Sequence, residues 1–219
     1  MKKSYIVALA IAATATLGIT SCSDSFLDEK LITQKSMDTY KTQDGLDELM
    51  TGAYTKLKFK FNYIWAIECY NMGVDEFTSG ANNMTGWNAY SSSLNSNETG
   101  ANQPMWDNMY GLVEPANILI NNIPLYYNKN SENYNTRLGE AYFLRAYAYF
   151  ELVKQFGGVP LKLTPSTGVE TYFTRNSLED CYKQIIADFE QAYNLLPDKA
   201  AQTGRITKSA AAHFLAKAH

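Results

Sequence analysis

Apolar residues recur every three to four positions through most of this chain, and this periodicity constrains the fold more than any other feature. The clearest case runs from Thr136 to Phe156 and ends at Gly157-Gly158. A three-to-four spacing places apolar side chains on one face of an α-helix, whereas a half-buried strand requires alternation. The pattern therefore predicts a long helix with one buried face. That face comprises Leu138, Ala141, Tyr142, Ala148, Tyr149, Leu152, Val153 and Phe156.

The same periodicity predicts further helices along the chain. Several carry residues that favour helix ends: Gly73 closes one, Pro104 suits a first turn, Ser177 is a plausible N-cap and Pro197 is a stop. Pro115 lies inside another, and it predicts a kink or a break there because proline lacks an N–H. The predicted helices cover residues 44–58, 61–72, 104–120, 136–156, 178–196 and a last segment from about 207.

The last predicted helix has no stop signal. Good helix formers run from Thr207 to His219 without the Gly, Asn or Pro that generally ends a helix. We therefore expect the chain to be cut off within this helix, as a fragment or a truncated reading frame.

One predicted helix carries a repeat-like pattern. Ile185, Phe189, Ala192 and Pro197 follow the order of the second helix of a tetratricopeptide repeat. The small Ala192 lets neighbouring helices approach, and Phe189 fills the space between them. The predicted fold class is all-α: a tetratricopeptide-like helical-pair (α-solenoid) scaffold with long irregular loops. Such stacked pairs commonly form extended binding surfaces.

The N-terminus has the pattern of a secretory signal peptide. Lys2 and Lys3 precede an apolar stretch over residues 5–19, and a run of small residues then leads to Cys22. This arrangement resembles the lipobox of bacterial lipoproteins, which implies cleavage before Cys22 and acyl chains on that residue. The alternative is an ordinary secreted protein with a cysteine at this position by chance. The predicted organisation is 1–21 signal peptide, 22–36 lipidated tether and 37–219 helical domain.

Composition excludes several classes of partner. The formal net charge is −3 and no dense Lys/Arg run occurs, which argues against nucleic acid. No second apolar stretch reaches the roughly 18 residues that a membrane-spanning helix needs. Cys69 and Cys181 both lie in apolar segments, which favours two buried thiols, although an oxidising compartment also permits a disulfide.

Catalytic motifs are missing from the sequence. The chain has two histidines, His213 and His219, and no spacing typical of a nucleophile triad, a zinc site or a phosphate loop. Asp75 and Glu76 are adjacent acids, but a glycosidase needs carboxyl groups about 5–9 Å apart on either side of a bond. We predict no catalytic residue, no metal and no cofactor.

Several motifs, in this order, resemble the N-terminal part of the SusD/RagB family of outer-membrane lipoproteins. The stretch around Arg145 with its Gly-Gly-Val-Pro exit is the most specific of them. Family members are considerably longer than 219 residues. The matching stretches are Cys22-Ser-Asp-Ser-Phe-Leu-Asp28, Gly73-Val-Asp-Glu76, Trp106 to Asn117, Arg137 to Leu161, Arg175, Asp188 to Ala192, Leu196-Pro197 and Gly204 to Ala216.

The resemblance implies a function as well as a fold. It implies a non-catalytic protein, anchored in the outer membrane through Cys22 and facing the cell exterior. Such a protein binds oligosaccharides, or peptides in some relatives, and passes them to a SusC-like TonB-dependent transporter. The alternatives are a tetratricopeptide-like protein-interaction scaffold at the outer membrane, a truncated remnant without independent ligand binding, and a surface hydrolase.

Residues 78–103 supply the ligand-binding candidates. This segment is rich in Ser, Asn, Gly and Thr and predicts a long exposed loop, of a length that is often functional. Trp87 and Tyr90 offer rings on which a sugar can stack, and Asn83 and Asn88 offer amides for its hydroxyls. The alternative is that Trp87 only anchors the loop to the helices below.

Three other conspicuous side chains are predicted to be structural. Trp65 and Trp106 stand at helical spacing among apolar residues, which predicts core positions. Arg145 lies in a largely apolar helix, so we expect it to be paired with a partner, because a buried charge needs one.

Overall fold

The regular structure of the chain is helical. The computed structural model describes residues 36–62, 66, 70–78, 85–92, 95 and 102–219. Within these residues a 3-10 turn, Met37–Lys41, precedes the α-helices, and none of the helices is both long and apolar enough to cross a membrane. The helices are α1 (Gln43–Lys56), α2 (Phe59–Asn62), α3 (Thr85–Ala89), α4 (Asn102–Tyr126), α5 (Tyr134–Phe156), α6 (Leu178–Leu195) and α7 (Lys208–Ala218).

Helix α5 is the centre of the packing. It lies against α4 on one side and α6 on the other, while α1 packs on α4 and α7 packs on α6. Each long helix thus contacts chiefly its neighbours in sequence, as in stacked helical pairs. The predicted all-α class with helical pairs is confirmed.

The burial of α5 is wider than its sequence pattern predicted. Every residue from Phe143 to Val153 is buried, so the prediction of a single buried face was too narrow. The cause is the position of the helix between two neighbours, which covers it nearly all round. Three charged residues are buried with it, Glu140, Arg145 and Glu151.

Local signals at the helix ends behave as the sequence predicts. The Ser177 hydroxyl accepts a hydrogen bond from the Asp180 backbone N–H at 3.0 Å and donates one to the Asp180 carboxylate at 2.7 Å. This satisfies a donor of the first turn of α6, so the predicted N-cap is confirmed. Gly157 ends α5 with a φ of 71°, and Gly73 has a φ of 80°, a region that favours glycine.

The sequence predicts a kink or a break at Pro115, and the break is wrong, because helix α4 is continuous there. The helix runs from Asn102 to Tyr126 with both Pro115 and Pro124 inside it. Buried side chains flank Pro115 on both sides, among them Val113 and Ala116. Packing of this stretch against α1 and α5 holds the helix across the proline despite the missing N–H. Pro104 lies in the first turn, as predicted.

The loop predicted for residues 78–103 contains a short helix. Helix α3 occupies Thr85–Ala89, five residues of that segment. No sequence signal marks it, because a helix of this length has too few apolar residues to show a period. Residues 79–84, 93–94 and 96–101 lie outside the described residues.

Other predictions have mixed outcomes. Cys181 is a buried free cysteine, as predicted, while Cys69 lies outside the described residues. Trp106 is partly buried against the core, edge-to-face with Phe156 at a centroid distance of 5.2 Å, and Trp65 lies outside the described part. Residues 1–35, including Cys22, also lie outside it, so the predicted signal peptide, tether and boundary at residue 36 stay predictions.

Candidate functional site

Two of the four ligand candidates can be placed. Asn88 lies in α3, and Tyr90 follows directly after it. Trp87 is in the same helix, but its side chain is outside the described part of the chain, as is all of Asn83. The site can therefore be built from Asn88 and Tyr90.

Asn88 and Tyr90 bind the turn that follows Gly73. The Gly73 backbone N–H donates to Asn88 Oδ1 at 3.4 Å, and Asn88 Nδ2 donates to Thr78 Oγ1 at 3.2 Å. The Tyr90 hydroxyl donates to the Gly73 carbonyl at 2.7 Å. Three hydrogen bonds thus join α3 and the residue that follows it to residues 73–78, between 10 and 17 positions earlier in the chain.

Tyr90 combines a fixed hydroxyl with an exposed ring. Its φ of 49° is in the left-handed region, which is uncommon for a residue with a bulky side chain. The residue is 71% exposed although its hydroxyl is engaged. The ring is therefore held in one orientation with a face available to solvent, which suits stacking. The amide of Asn88, in contrast, is already used within the protein.

Asp75 and Glu76 lie in the same turn. Both are exposed, and among the described residues neither makes a side-chain hydrogen bond. Across the described part of the chain, no three His, Cys, Asp or Glu residues cluster closely enough to hold a metal ion.

Arg145 is paired, as the sequence predicted, and its partner is Asp188 of α6. Nε and Nη2 donate to the two carboxylate oxygens at 2.7 and 2.8 Å, which is a bidentate pair. Nη1 donates to Asn117 Oδ1 at 3.0 Å and to the Leu163 carbonyl at 3.1 Å. Gln184 donates to Asp188 at 2.9 Å. The pair is almost completely buried, so it joins α5 to α6 and does not face a ligand.

The same buried groups hold the extended segment after α5. Asn117 Nδ2 donates to the Lys162 carbonyl at 2.9 Å, as does the Tyr149 hydroxyl at 2.7 Å. The Tyr110 hydroxyl donates to the Pro160 carbonyl at 2.7 Å. Burial raises the pKa of both tyrosines above the ordinary value, so both stay neutral donors. We call residues 160–164 the clamped segment.

A second buried network centres on Glu140. One carboxylate oxygen accepts from the Tyr54 hydroxyl at 2.8 Å, and the other accepts from Arg137 and Arg205 at 3.1 and 3.0 Å. Burial first, and the Glu140 carboxylate second, raise the pKa of Tyr54. A cavity of about 270 Å³ adjoins this network. Its arginines and its buried carboxylate are already paired, which indicates a structural role.

A cavity of about 520 Å³ lies between the end of α1 and the first turns of α4. No sequence motif predicts this cavity, because its two sides are some fifty residues apart in the chain. The described residues that line it are Thr55, Lys56, Lys58, Phe59, Pro104, Asp107 and Asn108.

Comparison with known proteins gives consistent relatives. Residues 25–219 match the model of the SusD-like family described as "Starch-binding associating with outer membrane". The chain is 25% identical to SusD-like protein P2 of Formosa agariphila over 235 residues, covering 100% of this chain and 43% of that relative. It is 29% identical to a SusD-like protein of Bacteroides ovatus over 215 residues, covering 96% of this chain and 38% of the relative. The chain thus spans about two fifths of the length of these relatives.

Solved structures share the fold. A SusD superfamily protein from Bacteroides vulgatus superposes with a TM-score of 0.70 at 25% identity, covering 81% of this chain and 39% of that one. A laminarin-binding SusD-like protein gives a TM-score of 0.67 at 23% identity, covering 82% and 40% of the two chains. A protein crystallised with xylogluco-oligosaccharide gives a TM-score of 0.64 at 23% identity, covering 79% of this chain and 34% of that one.

Proposed function

The chain belongs to the SusD-like family, and on that basis we propose that it is a non-catalytic outer-membrane protein that binds oligosaccharides. It delivers them to a SusC-like TonB-dependent transporter, and acyl chains on Cys22 anchor it at the cell exterior. The family description supports the membrane association and the glycan class. The two structural relatives that bind laminarin and xylogluco-oligosaccharide support the ligand class.

The observation that carries the proposal is the geometry of Tyr90. An exposed ring whose hydroxyl is already bound within the protein loses little conformational freedom when a sugar stacks on it. A pyranose has one apolar face that suits such a ring, and Trp87, three positions earlier, offers a second aromatic side chain. We assign stacking to Trp87 and Tyr90 and polar contacts to Asn83. Asn88 chiefly holds α3 to the turn after Gly73.

The test is direct binding to the full-length chain in detergent. Laminarihexaose and a xyloglucan heptasaccharide are titrated by calorimetry. Trp87→Ala is expected to cost roughly 1–3 kcal/mol of binding free energy, the range for a ring stacked on an aromatic side chain. Tyr172→Ala is the matched control, because Tyr172 is 83% exposed and lies in the connection between α5 and α6.

Two results would contradict the proposal. Absence of saturable binding to any neutral oligosaccharide or peptide pool would remove ligand binding from this chain. Equal losses in Trp87→Ala and Tyr172→Ala would remove the site from residues 83–90. The transporter partner is tested separately, by mass spectrometry of what antibody to the chain recovers from gently solubilised outer membranes. Recovery of the chain without a large β-barrel protein would exclude that partner.

A further inference from the structure

The cavity between α1 and α4 differs from the cavity beside Glu140 in one respect. Among the described residues, no ion pair or hydrogen bond engages the side chains of Lys56, Lys58, Asp107 or Asn108. Beside Glu140, in contrast, the arginines are bound to carboxylates. Polar groups that converge on a cavity and lack a protein partner are available to a ligand.

The lining defines the chemistry of that ligand. Two ammonium groups, from Lys56 and Lys58, attract a carboxylate, whereas Asp107 and Asn108 suit hydroxyl groups. Phe59 completes the wall with apolar surface. A bare inorganic anion would face the Asp107 carboxylate, and a neutral sugar would leave both ammonium groups unmatched. A sugar that carries both a carboxylate and hydroxyls satisfies the whole set.

We propose that this cavity binds a uronic acid residue of an acidic oligosaccharide, with its carboxylate at Lys56 and Lys58 and its hydroxyls at Asp107 and Asn108. The volume of about 520 Å³ falls within the roughly 300–1,000 Å³ of typical small-ligand pockets. Of the residues proposed above for the loop site, Asn88 and Tyr90 are described, and neither lines the cavity. It therefore adds a site to the one proposed above and does not depend on it.

The experiment compares two probes with the same sugar backbone, one with carboxylates and one in which methyl esters remove the charge. Trigalacturonate and its fully methyl-esterified form are titrated into the full-length chain in detergent by calorimetry. The acid is expected to bind more tightly than the ester, and added NaCl is expected to reduce the difference, because partly exposed charges are screened by salt. The double variant Lys56→Gln/Lys58→Gln is expected to weaken the affinity for the acid by roughly tenfold and to leave the affinity for the ester unchanged.

The control removes the same charge elsewhere. Lys129→Gln/Lys183→Gln changes two exposed lysines outside the cavity, so acid binding is expected to stay within twofold. Thermal unfolding of each variant checks its fold. Lys58→Gln alone, at an exposed position, replaces the double variant if that variant unfolds at a lower temperature.

Three outcomes would overturn the proposal. One is that the acid and the ester bind with equal affinity, or that neither binds. Another is that the control double variant weakens acid binding as much as the cavity double variant does, or that sulfate at the same concentration displaces the acid. Either result shows an unspecific charge effect. The third is loss of acid binding in Trp87→Ala with no effect of the lysine variants, which assigns the acid to the loop site. Acid binding that is weakened by the lysine variants and unchanged in Trp87→Ala supports the cavity site, independently of the result for the loop site.

Discussion

Removing Asp188 should be among the most damaging single changes in this chain. Asp188→Ala leaves the Arg145 guanidinium with two of its four hydrogen bonds, to Asn117 and to the Leu163 carbonyl. The side chain of Arg145 is 6% exposed, so water cannot replace the lost carboxylate. Breaking a buried ion pair from one side costs about 3–5 kcal/mol, because the remaining charge is uncompensated. We expect a loss of that size in the free energy of unfolding.

A double variant separates the charge effect from lost packing. Arg145→Met/Asp188→Leu removes both charges and retains apolar volume between α5 and α6. We expect it to be more stable than Asp188→Ala, because no charge is left buried without a partner. The Leu163 carbonyl and the Asn117 amide oxygen lose donors in this variant, so it should still be less stable than the unmodified chain by about 1–3 kcal/mol.

The assay is urea unfolding followed by circular dichroism, with linear extrapolation to water. Glu179→Ala is the control, because Glu179 and Lys183 form a salt bridge on the exposed surface of the same helix. It should show no measurable change. A loss below about 1 kcal/mol in Asp188→Ala would refute the reasoning, as would a double variant no more stable than Asp188→Ala.

Three further changes test other parts of the fold. Gly158→Ala would place a Cβ 2.2 Å from the Asn176 carbonyl oxygen, so we expect a loss of about 1–3 kcal/mol in urea unfolding. Gly168→Ala meets nothing within 4 Å and should be neutral; equal losses would contradict this. Ser177→Ala should cost about 1 kcal/mol through the lost N-cap, and Ser177→Thr should retain most of it. Burial raises the pKa of Tyr149 above its unfolded value of 10.0, so above that pH the folded state keeps a proton that the unfolded state loses. The free energy of unfolding should therefore fall as the pH rises above 10. Complete appearance of tyrosinate absorbance before the protein unfolds would contradict this.

The sequence predicted the long helices because their signals are local. The period of α5 and the Ser177 cap of α6 each lie within a few residues, and nothing distant overrides them. Pro115 shows the limit: the local rule favours a break, but packing against α1 and α5 keeps α4 continuous.

The contacts of the candidate sites were not predictable in the same way. Tyr90 and Gly73 are brought together by the fold, so the hydrogen bond that fixes the Tyr90 ring leaves no trace in the spacing. The sequence contains no dense run of basic residues, yet the fold brings Lys56 and Lys58 to the same cavity as Asp107. That Arg145 needs a partner follows from burial alone, but the identity of Asp188 depends on how α5 and α6 pack.

Buried side chains of α4 and α5 hold the clamped segment chiefly through its main chain. Arg145, Asn117 and Tyr149 donate to the carbonyl oxygens of residues 162 and 163, and these hydrogen bonds do not depend on which side chains the two residues carry. Substitutions at the exposed positions 163 and 164 should therefore leave these hydrogen bonds intact, whereas Leu161 packs against the core and is constrained. Proline is excluded at positions 161 and 162, because the Leu161 backbone N–H donates to Asn176 Oδ1 and the Lys162 backbone N–H donates to the Tyr149 hydroxyl. The backbone of this segment is fixed, while the side chains of Leu163 and Thr164 are exposed to solvent. New surface chemistry can therefore be introduced at these two positions with little risk to the fold.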